Sequence, residues 1–543
     1  MILPLSMYCD VLVAGSGIAG LMAALEAAEA SCTVSLLTSA KLFSGSSFYP
    51  GTWGLGLIGP EDESDRTDLC KSIQHVGCNM ASPEMVETFV NGIAPAIEKV
   101  RTMGVRLRRA VQKDQREFIP CFDHKNRDWN GLEFDSVREV FTERIRELGI
   151  QVLENCEVLQ LVKHGERVCG CVAFQNGTLR YLGCGSLVLA TGGYGSLFRY
   201  HLCTADVAGT GQGLALDVGC SLVNMEFMQM MPGYIQPAPK TVFNEKTFRF
   251  VHIKKANGEV LLPDDAKTQH LLDLRSGHGP FTTRLDSKYV DLAVFEDFLR
   301  DQRGVEITYS DELRRNPPEF VTTYFDWLKQ AKGLTMDDPV HVGIFAHAAN
   351  GGIRITPDAF TGVSGLYACG EVTGGMHGAD RIGGLSTANG LVFGIRAGRA
   401  AARACGHKDS CPDVYEVCEI GLSEGQRILP ELQQLMYRSA MIGRNEAVLE
   451  DALNQLQTME NNFVLENTDD AVMIARYLRT VLQLKTARSI LSAAKLRRES
   501  RGSHSRTDYP ALDAQLEKQI YVTLKDDMPC AYFSDDKKEE ILC

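Results

Sequence analysis

Apolar positions crowd the first turn of this chain. Tyr8 to Ala14 is a nearly continuous hydrophobic run rich in Val and Leu, the pattern of a strand buried on both faces. The Ala-rich stretch Leu21 to Ala30 predicts a helix, and Thr33 to Thr38 predicts a second buried strand. The order strand, helix, strand this close together implies a parallel sheet with a right-handed crossover.

The pattern repeats with variations downstream. Glu133 to Leu148 reads as an amphipathic helix, Gln151 to Val162 as a strand, His164-Gly165-Glu166 as a turn, and Val168 to Phe174 as another strand. Ser186 to Ala190 is a further buried strand, ending in Thr191-Gly192-Gly193. From about Met231 to Val340 the glycine-rich apolar signals fade and charged, Pro-containing sequence takes over, including Asn316-Pro317-Pro318, so an inserted domain is expected there. Glycine-rich signals return over His347 to Gly394, as if the chain re-enters the first domain. Beyond Ala404 two long periodic stretches, Gln426 to Met459 and Ala471 to Arg498, predict antiparallel helices packed as a bundle. A mixed tail follows, strand-like at Gln519 to Leu524 and a charged, solvated run at Asp535 to Glu540.

This pattern is an α/β fold: a Rossmann-like dinucleotide-binding domain interrupted by an α+β capping domain and followed by a C-terminal helical bundle. The boundaries read as 1–228 and 341–404 for the two parts of the nucleotide domain, 229–340 for the cap, 405–510 for the helical domain and 511–543 for the tail. The length agrees, since 543 residues far exceed the roughly 250–300 at which a single core stops growing.

Composition narrows the partners. A formal net charge of −13 disfavours nucleic acid and anionic membranes, which need a basic surface. No window reaches the roughly 18 uncharged apolar residues of a membrane span, and Met1 to Asp10 lacks the cationic start of a leader, so the expected address is the cytoplasm. The 17 cysteines are scattered singly, and Cys169 and Cys171 have the wrong spacing for a metal knuckle. Reduced buried thiols and no metal or iron–sulfur site are expected, so electrons must leave by another route, a separate electron-transfer partner being one such route.

Gly15-x-Gly17-x-x-Gly20 carries a mechanism. Gly15 permits the tight turn, Gly17 lets the backbone approach a pyrophosphate, Gly20 allows close helix packing, and the helix N-terminus attracts the phosphates. The acidic residue that holds a ribose in nicotinamide enzymes is missing, because the second strand ends in Thr38-Ser39-Ala40-Lys41. A flavin adenine dinucleotide held by hydroxyls and backbone fits better than NAD.

With these motifs in order, the chain resembles the succinate dehydrogenase and fumarate reductase flavoproteins, together with L-aspartate oxidase. The resemblance spans nearly the whole chain and rests on Gly15 to Gly20, Ala190 to Gly195, Gly209 to Gly219, Gly365 to Gly384 and Ser500 to Pro510. It implies FAD as cofactor, a carboxylate as substrate, and Glu371 hydrogen-bonded to an FAD hydroxyl. The helix starting at Ser386 could stabilise negative charge on the reduced flavin. Membrane-complex members of the family link the flavin to a histidine on the second loop. This chain has Gly45-Ser46-Ser47-Phe48-Tyr49 there, nearer the aspartate oxidase pattern, so noncovalent FAD is expected.

On the substrate side the resemblance assigns Arg381 to a bidentate carboxylate clamp and His347 to a second carboxylate contact, against the plainer readings of a surface ion pair and a satisfied core histidine. Arg284 matches the family's proton-transferring arginine, with Arg275 and His278 as rivals; an arginine is a poor acid, so that role needs a dry site and a charged relay. One departure stands out: Met231 occupies the place of a second carboxylate-binding histidine, and a thioether donates no hydrogen bond. Arg501, His504 and Arg506 read either as contacts to the site or as stitching between domains, with stitching the favoured reading. Reduction or oxidation at a CH–CH bond next to a carboxylate is the expected reaction. The alternatives are an aspartate oxidase-like amino-acid oxidase and a noncatalytic electron-relay subunit.

Overall fold

In a computed structural model, residues 1–406, 411–423, 425–426 and 428–535 are described. The first strand, Ile2–Ala14, pairs in parallel with Val34–Leu37 on one side and with Thr178–Leu189 on the other. Leu366–Ala368 adds in parallel beside Thr178–Leu189. Gln151–Leu153 continues the parallel set, whereas Cys156–His164 and Arg167–Gln175 form an antiparallel flap on the far side. The run expected as one strand from Gln151 to Val162 is therefore two: it breaks at Glu154-Asn155, where Asn155 takes φ 50° and reverses the chain.

Helix Ile18–Glu29 lies across this sheet against helix Leu385–Arg403. A Cβ at Gly394 would stand 2.6 Å from the Ala19 carbonyl oxygen, and one at Gly398 2.3 Å from that of Ala23. Two helices that bind the same nucleotide fold from opposite ends of the chain thus touch backbone to backbone, as the re-entry of the glycine-rich segment requires.

The cap is joined to the nucleotide domain by two neighbouring strands. Met228–Gln236 leaves and Val340–Ala349 returns, paired antiparallel, with Val305–Tyr309 and Val251–Lys254 completing the sheet. The expected boundaries at 228/229 and 340/341 both fall within these two strands, whose register shifts between Gln229 and Met230.

At the C-terminal end, helices Ile428–Ala440, Glu446–Asn461 and Ala471–Leu496 pack together, the expected stretch from Gln426 to Met459 being split at 441–445. The tail is not an appendage. Ile520–Lys525 and Met528–Phe533 form a hairpin that pairs through Val522 with Leu222, extending a sheet that includes Gly352–Arg354. Ile520 and Val522 are fully buried. Residues 536–540 of the charged run lie outside the described residues. No helix among the described residues is long and apolar enough to cross a membrane, and no group of three or more His, Cys, Asp or Glu side chains there is placed to hold a metal ion.

Candidate functional site

The first turn is shaped by its glycines in three different ways. Gly15 has φ +117°, and a Cβ there would lie 2.2 Å from the Ala190 carbonyl oxygen. At Gly20 a Cβ would meet the Gly15 carbonyl at 1.9 Å, which is the close helix packing that the spacing calls for. Gly17 is different: its Cβ would approach only Ser47 Oγ, at 3.4 Å, so this face of the turn is open.

What it opens onto is a cavity of about 630 Å³, within the range of sites that take organic cofactors. Gly15, Gly17, Thr38, Ser46, Ser47, Thr191 and Gly192 line its nucleotide end. Gly17 caps helix Ile18–Glu29 with no side-chain acceptor, and the Ile18 N–H donates to Ser47 Oγ at 3.1 Å. Ser46 Oγ and Thr191 Oγ1 are buried without a hydrogen-bond partner. Orphaned hydroxyls beside an uncapped helix N-terminus and an open glycine face fit the pyrophosphate and ribityl groups of FAD. Gly193 stands back from the wall, beneath Glu371, whose Oε1 accepts from the Ala349 N–H at 2.9 Å. Burial pushes the Glu371 carboxyl up. Ser386 lies on the wall in the first turn of helix Leu385–Arg403, whose preceding Gly384 takes φ +79°.

The acid missing from the second strand arrives from elsewhere. Asp206 lines the same cavity and accepts a hydrogen bond from Ser39 Oγ at 3.5 Å, across 167 residues of sequence. Arg479, on the last long helix, chelates Glu157 at 2.6–3.0 Å and closes that end together with Gln483. The helical domain therefore supplies part of the nucleotide wall, a contact that the sequence pattern did not signal.

At the opposite end stand Arg381, His347 and Met231. Arg381 is buried and is in no ion pair among the described residues; its Nε donates to Gln229 Oε1 at 3.1 Å, and Gln229 Nε2 donates to the Arg381 carbonyl at 3.4 Å. A desolvated guanidinium without a carboxylate is an anion receptor. His347 projects from the strand returning from the cap, with Nδ1 buried and unpartnered. Its pKa is pushed down to about 3 by burial and by the nearby Arg381 charge, so the ring is neutral. Met231 joins Tyr49, Leu202, Val242 and Phe345 in an apolar cluster.

Arg284 is not on the cavity wall. Its Nε binds Asp380 Oδ2 at 2.9 Å, next to Arg381 in sequence, and its guanidinium lies 5.0 Å over the ring of Phe122, which follows Cys121. Burial raises the Asp380 carboxyl to about 6, against the opposing pull of Arg284. The rivals are structural: Arg275 is tied to Asp291, and His278 to Ser287 and the Pro280 carbonyl. Sequence reasoning passed over Cys121 and Glu245, which both line the cavity, the thiol donating to Glu245 Oε1 at 2.9 Å. Arg501, His504 and Arg506 are buried and bonded to backbone carbonyls and acids of the C-terminal region, Arg501 also donates to the Cys78 carbonyl at 3.0 Å, and none lines the cavity.

Comparison with known proteins agrees with this geometry. The FAD binding domain family matches residues 10–387, and the fumarate reductase flavoprotein C-terminal family matches residues 430–532. The chain is 26% identical to a subunit of the fumarate reductase (CoM/CoB) of Methanothermobacter marburgensis, over 95% of this chain and 97% of that protein. It is 28% identical to L-aspartate oxidase of Saccharolobus solfataricus, over 94% of this chain and 98% of that one. Among solved structures, Mycobacterium smegmatis Sdh1 in complex with UQ1 has the same fold, with a TM-score of 0.79 at 24% identity over 97% of this chain and 94% of that chain.

Proposed function

The chain belongs to the FAD-binding flavoprotein family that includes fumarate reductase flavoproteins and L-aspartate oxidase, and from that premise we propose that it interconverts an enoate and its saturated carboxylate. It is an FAD-dependent oxidoreductase, fumarate reductase-like in its family. The observation that supports the substrate reading is Arg381: a buried cation in no salt bridge among the described residues, with the Glu371 carboxylate acting on it only at longer range, on the wall of the cavity that the glycine turn opens onto.

Bound FAD would supply a two-electron hydride donor and acceptor. The remaining work belongs to the chain. Arg381 grips the substrate carboxylate through charge-assisted hydrogen bonds, steadied by Gln229. Neutral His347 offers one ring nitrogen as a donor beside it. Arg284, the family's candidate for proton supply to the carbon next to the carboxylate, is held behind the wall by Asp380 at 2.9 Å, so in this arrangement it positions the loop that carries Arg381 and does not touch the substrate. FAD is held noncovalently, since the loop Gly45 to Tyr49 presents serines and no imidazole. Asp206 and Ser39 take the ribose end, Gly15, Gly17, Ser46, Ser47, Thr191, Gly192, Glu371 and Ser386 line the rest of the cradle, and Gly20 and Gly193 shape it from behind the wall. A separate electron-transfer partner exchanges electrons with the flavin, and the setting proposed is the cytoplasm.

The test is anaerobic reoxidation of photoreduced protein by a panel of enoates. Arg381→Gln should slow reoxidation at least 100-fold while the protein keeps its flavin spectrum. Reoxidation at the wild-type rate in that variant would remove the carboxylate clamp and the reading with it. L-aspartate oxidation fits less well, because Met231 gives a second carboxylate no hydrogen-bond donor.

A further inference from the structure

Behind Cys121 lies a second chamber of about 180 Å³, which shares Thr52 to Gly56, Cys121, Glu245, Gly383 and Gly384 with the main cavity. Trp53, Phe118, Trp129 and Phe320 line it. The rings stand edge to face, with centroids 5.3 Å apart for Phe118 and Trp129, 5.5 Å for Phe118 and Phe320, and 6.0 Å for Trp53 and Phe320. Its lining also carries five charged side chains, all engaged: Arg108 lies 5.1 Å over Trp129 and donates to Thr323 Oγ1, Lys246 donates to the Ile119 carbonyl, Glu117 pairs with Arg249, Glu133 with Arg106, and Glu245 accepts from the Cys121 thiol.

Small dicarboxylates need no such chamber. An apolar void of roughly 150 Å³ admits a benzene ring, so this one has room for an arene, and its walls offer the edge-to-face partners that aromatic rings prefer. Met231 completes the argument from the other side. Where a second carboxylate would want a donor, the cavity wall carries a thioether in an apolar cluster, and a Cβ at Gly279 would lie 3.1 Å from Met231 Cε.

We propose that the chamber is the subsite for a flat aromatic tail, so that the substrate is a 3-arylprop-2-enoate or a close analogue: its carboxylate on Arg381, its alkene in the main cavity, and its ring among Phe118, Trp129 and Phe320. This rests on the enoate reading above and adds the identity of the far end. Phe320 comes from the cap and Trp129 from the nucleotide domain, so a ring seated between them holds the two domains together. Selectivity for the aryl acid therefore comes from ring burial and not from a second charge pair.

Calorimetric titration of the oxidised holoenzyme with 3-phenylpropanoate and with butanoate reads this directly. The aryl acid should bind at least tenfold more tightly. Phe320→Ala, which unlines the chamber, and Leu55→Trp, which fills it from a position on the wall of both cavities, should each bring the ratio of the two dissociation constants close to one, with the flavin spectrum as the check on folding. A wild-type ratio near one, or a ratio that neither variant moves, overturns the aryl subsite and leaves the carboxylate clamp standing. Failure of both acids to bind the wild-type protein overturns the clamp and the subsite together.

Discussion

Arg381 and Gln229 hold each other by two hydrogen bonds in opposite directions, side chain to side chain at 3.1 Å and side chain to backbone at 3.4 Å. Gln229 lies on the strand that leads into the cap and Arg381 on the loop before helix Leu385–Arg403, so the pair fixes the guanidinium across the seam between domains. Gln229→Leu should leave the fold intact and weaken carboxylate binding about tenfold, near 1.4 kcal/mol, because the guanidinium is no longer aimed. Gln229→Glu should weaken it further, since an ion pair would occupy the receptor. Titration of the holoenzyme with a saturated monocarboxylate checks both, and equal affinity in all three proteins would mean that Gln229 positions nothing.

The glycine turn makes a prediction that separates folding from cofactor binding. Gly15→Ala must accommodate a side chain at φ +117° and a Cβ 2.2 Å from the Ala190 carbonyl, so the variant should be insoluble or strongly destabilised. Gly17→Ala meets only Ser47 Oγ at 3.4 Å. It should fold, yet its methyl group projects where the pyrophosphate must approach, and the purified protein should be pale. Flavin content per folded protein is the measurement. A yellow Gly17→Ala protein with normal FAD affinity would show that the pyrophosphate lies elsewhere.

That contrast marks how far the sequence could be read. The cradle was legible because Gly15, Gly17 and Gly20 act within one turn, and because Arg381 and His347 sit in a glycine-rich return whose spacing is local. Asp206, Cys121 and Trp129 were not legible. Each reaches the site by long-range packing from a segment with no periodic signal of its own, and Asp206 meets Ser39 only because the turn after Thr191-Gly192-Gly193 folds back over the second strand. Arg284 was found by its neighbours in sequence, but its ion pair with Asp380 holds it behind the wall. The tail hairpin looked peripheral because strand Leu222–Val223, to which it pairs, is two residues long and carries no alternation.

The buried imidazoles make the protein acid-labile. Burial and neighbouring cations lower His201 to about 4 and His347 to about 3, and lower His278, His377 and His504 well below the usual value. The unfolded chain takes up protons near pH 6.5 that the folded chain refuses, so it binds more protons and stability falls as pH falls. Each group contributes up to about 1.4 kcal/mol per pH unit in its window. Asp380, raised to about 6, acts with the opposite sign, stabilising as pH falls from about 6 towards 4. Glu371, Glu226, Asp291 and Asp217, whose carboxyls burial also raises, act in the same sense as Asp380, but the imidazoles begin to act first, near pH 6.5, so the urea midpoint should begin to drop as pH passes from 7 to 6. A midpoint that is constant over that interval would contradict neutral buried histidines.

Arg497 and Glu226 form a fully buried pair at 2.7 Å, with Arg497 also bonded to Glu499 and stacked 5.2 Å over Phe227. Neither residue lines the cavity. Glu226 lies just before the strand that carries Gln229 and Met231, and Arg497 follows the last long helix, so the pair ties the helical domain to the seam beneath the site. Arg497→Met strands a buried carboxylate and should cost about 3–5 kcal/mol. Adding Glu226→Leu removes the orphaned charge and should recover most of that loss, giving a large positive coupling in a double-mutant cycle. Carboxylate affinity per flavin-loaded molecule should stay at the wild-type value in the double variant, because the pair acts on stability alone. A double variant as unstable as the sum of the single ones would mean that the two side chains are held by separate contacts, and a selective loss of carboxylate binding would move this cluster from scaffold to site.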